Sequence, residues 1–418
     1  MNFSSVPREQ VVIIGAGAAG LMAAIASGQR GRAPLVLEKN NKLGVKILMS
    51  GGTRCNITHA TDGRGVVAAF GRNGRFLYSA LAAFAPEDVV EFFQRWGVPT
   101  HVEATGKIFP DSNRAIDVRD ALVRAALDAG ARLRAGQAVL HLDRAANGSG
   151  FRVQTASEVV ECETLILTTG GKSYPGCGTT GDGYAWAAKF GHRIVATYPA
   201  LTPLVCEEPW VHTLSGVTLE DVRLRLWDPS QPKRPLDERR GSFLFTHFGF
   251  SGPAPMNLSG AYNRHPNPES LQVVASFLPD ETPESLAVWL REGAAAEGKR
   301  KLGAVLQARL PKRLVESSLA RAAVDPDRPL AEISQAQVAR LVTVLLECSL
   351  PLRGTKGYGK AEVTTGGVAL DEVDSRTLQS KLVPGLYFAG EILDLDGPIG
   401  GFNFQSAFST GWLAGSNA

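Results

Sequence analysis

The sequence is poor in whatever would hold a chain in a membrane or staple it covalently. No apolar run is long enough to cross a bilayer, which excludes a helical membrane span. Residues 1 to 10 lack the basic and apolar regions of a signal peptide; the apolar run from Val11 onward looks similar to one but is read as part of the fold. The five cysteines, Cys55, Cys162, Cys177, Cys206 and Cys348, are odd in number, scattered and never spaced C-x-x-C. That argues against a disulfide framework, a zinc site and a paired-cysteine redox centre, and it makes a reducing cytoplasm the expected location. An excess of one charge is missing too. Lys and Arg number 44 and Asp and Glu 41, and the resulting +3 is too small to argue for a nucleic-acid partner or an anionic membrane. What remains is an ordinary globular composition, 44% hydrophobic in 418 residues, with room for two or three domains.

The most informative stretch runs from Val11 to Glu38. Val11 to Ile14 is a short apolar run of the kind that forms a fully buried parallel strand. It breaks at Gly15-Ala16-Gly17-Ala18-Ala19-Gly20, and an alanine-rich helical segment with Leu21, Met22 and Ile25 follows. Leu35-Val36-Leu37 is a second apolar run, ending on Glu38. This is the order of a dinucleotide-binding βαβ unit. Gly15 permits the tight turn, Gly17 lets backbone approach a pyrophosphate, and Gly20 lets helix and strand pack closely. The phosphates then meet free N–H groups at the positive end of the helix. Glu38, eighteen residues past Gly20 (38 − 20), is placed to accept hydrogen bonds from a ribose. The unit alone does not choose between NAD and FAD.

The polar, glycine-rich loop after Glu38 reads as a second wall of the cofactor site, with a solvated loop as the alternative. Lys46, Ser50, Arg54 and Asn56 supply donors there, and Gly51 and Gly52 allow close backbone approach. Cys55 is read as a packed hydrophobe rather than a reactive thiol. Residues 72 to 96 read as two helices, and Val118, Leu122, Ala125, Ala126 and Leu127 mark the apolar face of another. Between them Glu103 to Pro110 reads as a hairpin, with Glu103 and Lys107 as exposed charges. Strands are expected over 132 to 142, 150 to 155 and 158 to 168, the last running into Thr168-Thr169-Gly170-Gly171. A second G-x-G-x-x-G at Gly176, Gly178 and Gly181 is not a second fingerprint. Pro175 stands where a strand residue should be, and no strand with a terminal acid follows.

From about Val195 proline and short alternating runs dominate; Val222, Leu224 and Leu226 alternate with Arg223 and Arg225, as in a half-buried antiparallel strand. Residues 282 to 347 are nearly all helical in pattern, and their basic residues read as a solvated face. The run 349 to 354 returns through the β region. Leu386 to Ala389 is again a buried strand, running into Gly390-Glu391; Gly400-Gly401 then precedes a helix through Gln405, Ala407 and Leu413. The domain boundaries read in this way are 1–194 for the first part of a cofactor domain, 195–270 for an inserted β domain and 271–347 for an inserted helical domain. A return strand at 348–358 and the second part of the cofactor domain at 359–418 complete the chain.

An N-terminal βαβ fingerprint paired with a C-terminal strand, glycine, acid and helix resembles the flavoproteins of the glutathione-reductase structural class. More narrowly, the chain is similar to the BaiN-like family of bacterial FAD-dependent oxidoreductases, which includes proteins named YhiN and aminoacetone oxidase. The matching segments include VVIIGAGAAGLMAA, KILMSGGTRCNIT, GKIFPDSNRAIDV, TTGGKSYPGCGTTGDGY, THFGFSGPAPMNLS and AEVTTGGVALDEVDSR, then the C-terminal GGFNFQSAFSTG. The resemblance implies an α/β fold: a split Rossmann-like FAD-binding domain of glutathione-reductase type, with an inserted β-barrel-like domain and a helical domain. It implies FAD as cofactor, with NAD(P)H as a transient electron donor. Gly15, Gly17, Ala18, Ala19, Gly20, Glu38 and Lys39 would hold the adenosine end. Lys46, Ser50, Gly51, Gly52, Asn56, Thr169, Gly170 and Gly171 would line the middle. Gly390 and Glu391 would meet the ribityl chain, and Gly401, Phe402, Asn403 and Phe404 would bring a helix N-terminus to the pyrimidine edge of the flavin. Departures from the family pattern, Val45, Thr53, Phe402 and Pro398-Ile399, keep substrate choice from being carried over.

The expected activity is hydride transfer between flavin N5 and a small organic substrate, with NAD(P)H as reductant. The alternatives are an oxidase of a small amine using oxygen, and a non-catalytic flavin-binding protein. Arg54 is expected to position an acidic or carbonyl group, and Tyr174 and His247 to move a proton. No metal-ligand cluster and no Ser-His-Asp spacing is expected, and the oligomeric state is left open.

Overall fold

The apolar run at Val11–Ile14 becomes the middle of a parallel sheet, where a strand covered on both faces needs no polar alternation. The computed structural model describes residues 8–145 and 148–418. Most of the N-terminal segment read for a signal peptide, and the expected domain start at residue 1, therefore lie outside the described residues. Strand Arg8–Ile14 has Val11, Val12 and Ile13 wholly buried. Leu35–Leu37 pairs with it in parallel on one side and Val159–Leu167 on the other. Arg132–Arg134 extends the first flank and Leu386–Phe388 the second, both in parallel. The register places Arg134, Leu37, Ile14, Leu167 and Phe388 in one row. Five strand ends thus open on one carboxyl edge, where open α/β sheets bind ligands.

The antiparallel strands Phe151–Thr155 and Val139–Arg144 continue the sheet. The single strand expected over 132 to 142 is two, Arg132–Arg134 and Val139–Arg144. Gly136, at φ +70°, turns the chain between them, and its N–H donates to the Asn40 carbonyl.

Helix Ala18–Gln29 is buried from Ala19 to Ser27, because it packs against helix Ala115–Asp128 as well as helix Phe402–Asn417. The second contact brings backbone against backbone. A Cβ on Gly411 would lie 2.3 Å from the Ala19 carbonyl oxygen, and one on Gly415 would lie 2.2 Å from that of Ala23. A small antiparallel sheet, Thr58–His59, Lys107–Pro110 and Thr100–Val102, contains the expected hairpin.

The chain forms two contact units, Met1–Pro199 with Glu362–Ala418, and Ala200–Ala361. The expected crossings at 194/195 and 358/359 fall short of these, because strand Ile194–Ala200 pairs with Val363–Val368 in the first unit. In the second unit seven antiparallel strands run in the order Cys348–Leu350, Gln272–Ser276, Thr218–Trp227, Asp237–Thr246, Gly249–Ser251, Leu204–Val205 and Gly354–Thr355. Strand Gln272–Ser276 falls in the stretch expected to be helical. One apolar core joins its Val273 and Ala275 with Leu286, Leu290, Leu341 and Leu345 of the helices Pro283–Glu297 and Gln335–Leu346. Sheet and helices therefore share a single interior.

Gly411→Ala forces a methyl group into the Ala19 backbone, and overpacking of this kind costs about 1–3 kcal/mol. We expect a lowered midpoint in thermal or urea unfolding of the purified protein; an unchanged midpoint would contradict the close helix contact.

Candidate active site

The carboxyl edge of the first unit gathers most of the residues expected to hold a dinucleotide. Gly15 takes φ +104°, and a Cβ there would sit 2.7 Å from the Thr168 carbonyl oxygen. A Cβ on Gly20 would lie 1.9 Å from the Gly15 carbonyl oxygen, so helix and strand meet as the fingerprint requires. Gly17 is different: nothing lies within 4 Å of its Cβ position, and no side chain caps the helix that starts at Ala18. The first-turn N–H groups around Ala18 and Ala19 are thus left for an anion. Glu38 is buried, and its two oxygens accept the N–H groups of Ala16 and Asn40, each at 2.9 Å. Those donors orient the carboxylate and leave lone pairs for a ribose. Lys39 points elsewhere. Its ammonium lies 2.6 Å from both Asp182 and Thr180, tying the strand end to helix Asp182–Lys189.

Beyond strand Leu386–Phe388, Glu391 is held from two sides. Lys46 Nζ donates to Oε2 at 2.5 Å and the Thr364 N–H donates to Oε1 at 2.9 Å. The Gly390 N–H donates to Thr410 Oγ1 at 3.0 Å, anchoring the turn to helix Phe402–Asn417. Gly171 has no room for a side chain, since a Cβ would lie 2.4 Å from Thr364 Oγ1 and 2.7 Å from Glu391 Oε1. The T-T-G-G at Thr168–Gly171 therefore meets a second T-T-G-G at Thr364–Gly367. The Lys172 N–H donates to Thr364 Oγ1 at 2.8 Å, and Ser173 Oγ lies 2.9 Å from the same atom. Thr364 is absent from the residue set read from sequence, although the repeated string was a signal that could have found it.

In the polar loop, Gly51, Gly52, Thr53 and Cys55 all have left-handed φ, and the Ser50 hydroxyl donates to the Ile47 carbonyl at 2.7 Å. Arg54 alone among them is right-handed. Its guanidinium lies 4.0 Å from the centre of the Phe109 ring and donates to Glu103 at 2.7 Å and to Asn113 at 3.3 Å. Glu103 is thus an orienting partner rather than a free hairpin charge. Cys55 is fully buried, and burial pushes its thiol up to about 12, so it packs and does not react. Asn56, with its amide turned to satisfy both neighbours, donates to the Thr58 carbonyl at 3.0 Å and accepts the Gly401 N–H at 2.9 Å.

Gly401, at φ +91°, starts helix Phe402–Asn417 without a side-chain cap. The Asn403 amide closes the preceding turn, accepting the Gly397 N–H at 2.8 Å and donating to the Gly397 carbonyl at 2.9 Å. The helix backbone, not that side chain, is left for a ligand. Phe404 packs on Phe408, and Phe402 stacks on His59 with ring centres 4.6 Å apart. Sequence reasoning missed His59, as it missed Thr58, whose hydroxyl donates to the buried Gln405 at 2.6 Å.

Tyr174 is half-buried on a left-handed backbone (φ +53°). Burial, then the nearby Glu362 carboxylate and Cys177, raise its phenol above the ordinary range. Glu362, also missed, reaches solvent, yet the surrounding protein desolvates it and raises its carboxyl against the pull of Lys46 and Lys107. His247 belongs to the second unit, exposed at the hairpin between Asp237–Thr246 and Gly249–Ser251. Tyr174 and Arg54 are in the first.

The residues present fit FAD. The helices that start at Ala18 and Phe402 have no side-chain cap, Glu38 and Glu391 offer carboxylates for its hydroxyls, and Thr169 Oγ1 is buried without a hydrogen-bond partner among the described residues. Among the described residues no group of three or more His, Cys, Asp or Glu could hold a metal ion, and no helix is long and apolar enough to cross a membrane.

Fold and site together define a flavoprotein with a Rossmann-type dinucleotide domain. The chain belongs to the HI0933-like family, described as "HI0933-like protein Rossmann domain", which it matches over residues 9–417. It is an FAD-dependent oxidoreductase. It is 35% identical over 408 residues to the Ribosomal RNA dihydrouridine synthase of Escherichia coli (strain K12), covering 97% of this chain and 96% of that one. It is 30% identical over 420 residues to the 3-dehydro-bile acid delta(4,6)-reductase of Clostridium scindens, covering 98% of each. Among solved structures, the open conformation of a flavocytochrome c3 fumarate reductase has a similar fold, with a TM-score of 0.50 at 16% identity over 98% of this chain and 78% of that one.

Gly17→Val puts a side chain into the space above the first helix, where no protein atom lies within 4 Å of the Cβ position. We expect a normal unfolding midpoint and FAD affinity at least about tenfold weaker, roughly 1.4 kcal/mol, in a fluorescence titration of the apoprotein.

Proposed function

We propose that the protein is a NAD(P)H-dependent reductase that saturates a C=C bond conjugated to a carbonyl, and that its substrate is the uracil ring of a ribosomal RNA uridine. The carrying observation is the pair of full-length relatives at 30% identity or more. Their names, a dihydrouridine synthase and a delta(4,6)-reductase, both denote hydrogen added across such a bond. In uridine the bond is C5=C6, conjugated to the C4 carbonyl. The balance is uridine + NAD(P)H + H⁺ → dihydrouridine + NAD(P)⁺. Bound FAD supplies the carrier for the hydride between the nicotinamide and C6.

The chain's own residues bind, orient and supply the proton. The uncapped N-terminus at Phe402 favours negative charge on the pyrimidine edge of the cofactor. Lys46 and Thr364 hold Glu391 for the ribityl hydroxyls. Tyr174 gives the second hydrogen, as a proton from its hydroxyl to C5. Its raised phenol stays protonated through neutral pH, so the donor is in its active form there and is lost only as pH climbs past the ordinary tyrosine range. Arg54 is held by Glu103 at the cleft loop, where it can pair with a carbonyl. A cytoplasmic location, where nicotinamides and ribosomes meet, goes with this reading. The expectation of no nucleic-acid partner gives way here; it rested on net charge, and a single flipped base is bound by stacking and hydrogen bonds instead.

Purified yellow protein, NADH or NADPH, and ribosomal RNA from cells lacking the modification should yield dihydrouridine by mass spectrometry. Tyr174→Phe should keep its FAD and its bleaching by nicotinamide while product formation falls about 10²- to 10⁴-fold. Bleaching without dihydrouridine, but with reduction of a free enone, would remove the RNA and leave the reductase. Bleaching by an amine and recovery in air, with no response to either nicotinamide, would favour the amine oxidase.

A further inference from the structure

The second unit carries a basic, glycine-rich loop that the reaction does not use. From Ser349 to Ala361 the chain has Arg353, Lys356 and Lys360 and no acidic residue. All three side chains are exposed. Arg353 faces Glu207 at 3.6 Å, whereas Lys356 and Lys360 have no ion pair among the described residues. Sheet topology sets this loop beside an aromatic hairpin. Leu204–Val205 pairs on one edge with Gly249–Ser251, which follows His247 and Phe248, and on the other with Gly354–Thr355. Lys356 Nζ accordingly lies 4.5 Å from the centre of the Phe248 ring, and the His247 and Phe248 rings meet edge to face at 5.0 Å.

The glycines add a second, independent point. Gly354, Gly357 and Gly359 have nothing within 4 Å of a Cβ position, so packing does not exclude side chains there. Gly354 and Gly357 have positive φ, but Gly359 does not. Gly359 has neither a steric nor a conformational reason within the protein, and it leaves the backbone open to something approaching from outside. An ammonium on an aromatic face, in a basic loop of open backbone, suits a single-stranded nucleic acid, whose phosphates meet the cations and whose bases meet the rings.

We infer that the loop Arg353–Lys360 and the hairpin at His247–Phe248 form a docking surface for single-stranded RNA. Lys356 and Lys360 contact phosphates, and Phe248 supports a base. This rests on the RNA reading above and deepens it. The net charge of +3 is no obstacle, because two or three local cations suffice to place a strand.

The probe is a fluorescein-labelled oligouridylate, titrated with the FAD-loaded protein at several salt concentrations. The double variant Lys356→Ala/Lys360→Ala should bind about tenfold or more weakly, and its slope of log K against log salt should flatten by about 1.4, two single-strand phosphates at roughly 0.7 each. Phe248→Ala should weaken binding about tenfold with the slope unchanged. Bleaching by nicotinamide should stay at the wild-type rate in the lysine variant, which shows that the cofactor site is intact. Dihydrouridine formation with unchanged oligouridylate binding in both variants would overturn this surface while leaving the reductase standing. The shifted slope with no dihydrouridine would keep the surface and remove the reaction. Wild-type protein that binds no oligouridylate at low salt would remove the surface outright.

Discussion

The first unit depends on two helices lying backbone to backbone. Helix Phe402–Asn417 reaches helix Ala18–Gln29 only because Gly411 and Gly415 present no side chain to the carbonyls of Ala19 and Ala23. That approach brings the last segment of the chain onto the first and lets Gly390 sit against Ala19, where a Cβ would lie 2.7 Å from the Ala19 methyl carbon. It also ties the helix that starts at Phe402 to the one that starts at Ala18, and neither of these N-termini has a side-chain cap. Interiors packed to crystal density transmit such a constraint rather than absorb it, so an error at Gly411 is felt at both helix N-termini.

Charge in the site is arranged by pairing more than by number. Glu38 is satisfied by backbone donors, Glu391 by Lys46 and Thr364, and Glu103 by Arg54. Glu362 is the exception, desolvated and attracted by Lys46 and Lys107 without displacing the Lys46–Glu391 pair. Tyr174 reads out that environment as a phenol held in its protonated form. A neutral donor beside anchored carboxylates suits proton delivery to a carbon better than a charged one, because it does not have to be drawn from water first.

Much of this was legible from residue order because the fingerprint encodes backbone requirements. Gly15, Gly20 and Gly171 stand where the structure has no room for anything else, and Glu38 closes the βαβ unit one residue past the end of its strand. Contacts between distant segments were harder to read. The meeting of Thr58 with Gln405 joins positions too far apart for any local pattern to reveal, and that of Gly171 with Thr364 shows only as a repeated T-T-G-G string. The basic residue Lys39, expected among the residues that hold the cofactor, turns to Asp182. His247 drew attention by residue type, and its exposed hairpin lies in the other unit. The break at Gly136 was visible as a glycine, but its consequence, one strand becoming two, depends on a bond to Asn40.

The row of strand ends also sets an order of events during synthesis. Arg8–Ile14 and Val159–Leu167 can pair early, but the fifth parallel strand, Leu386–Phe388, leaves the ribosome only after the whole second unit has been made. The Ala18–Gln29 helix must wait as long for its partner. Contacts of such sequence separation form late, because loop closure is unfavourable until its reward arrives. The nascent chain therefore holds a half-built flavin cradle beside a second unit whose strands are already all present. The two ends of the chain therefore meet last, and the carboxyl edge of the sheet is complete only when they do.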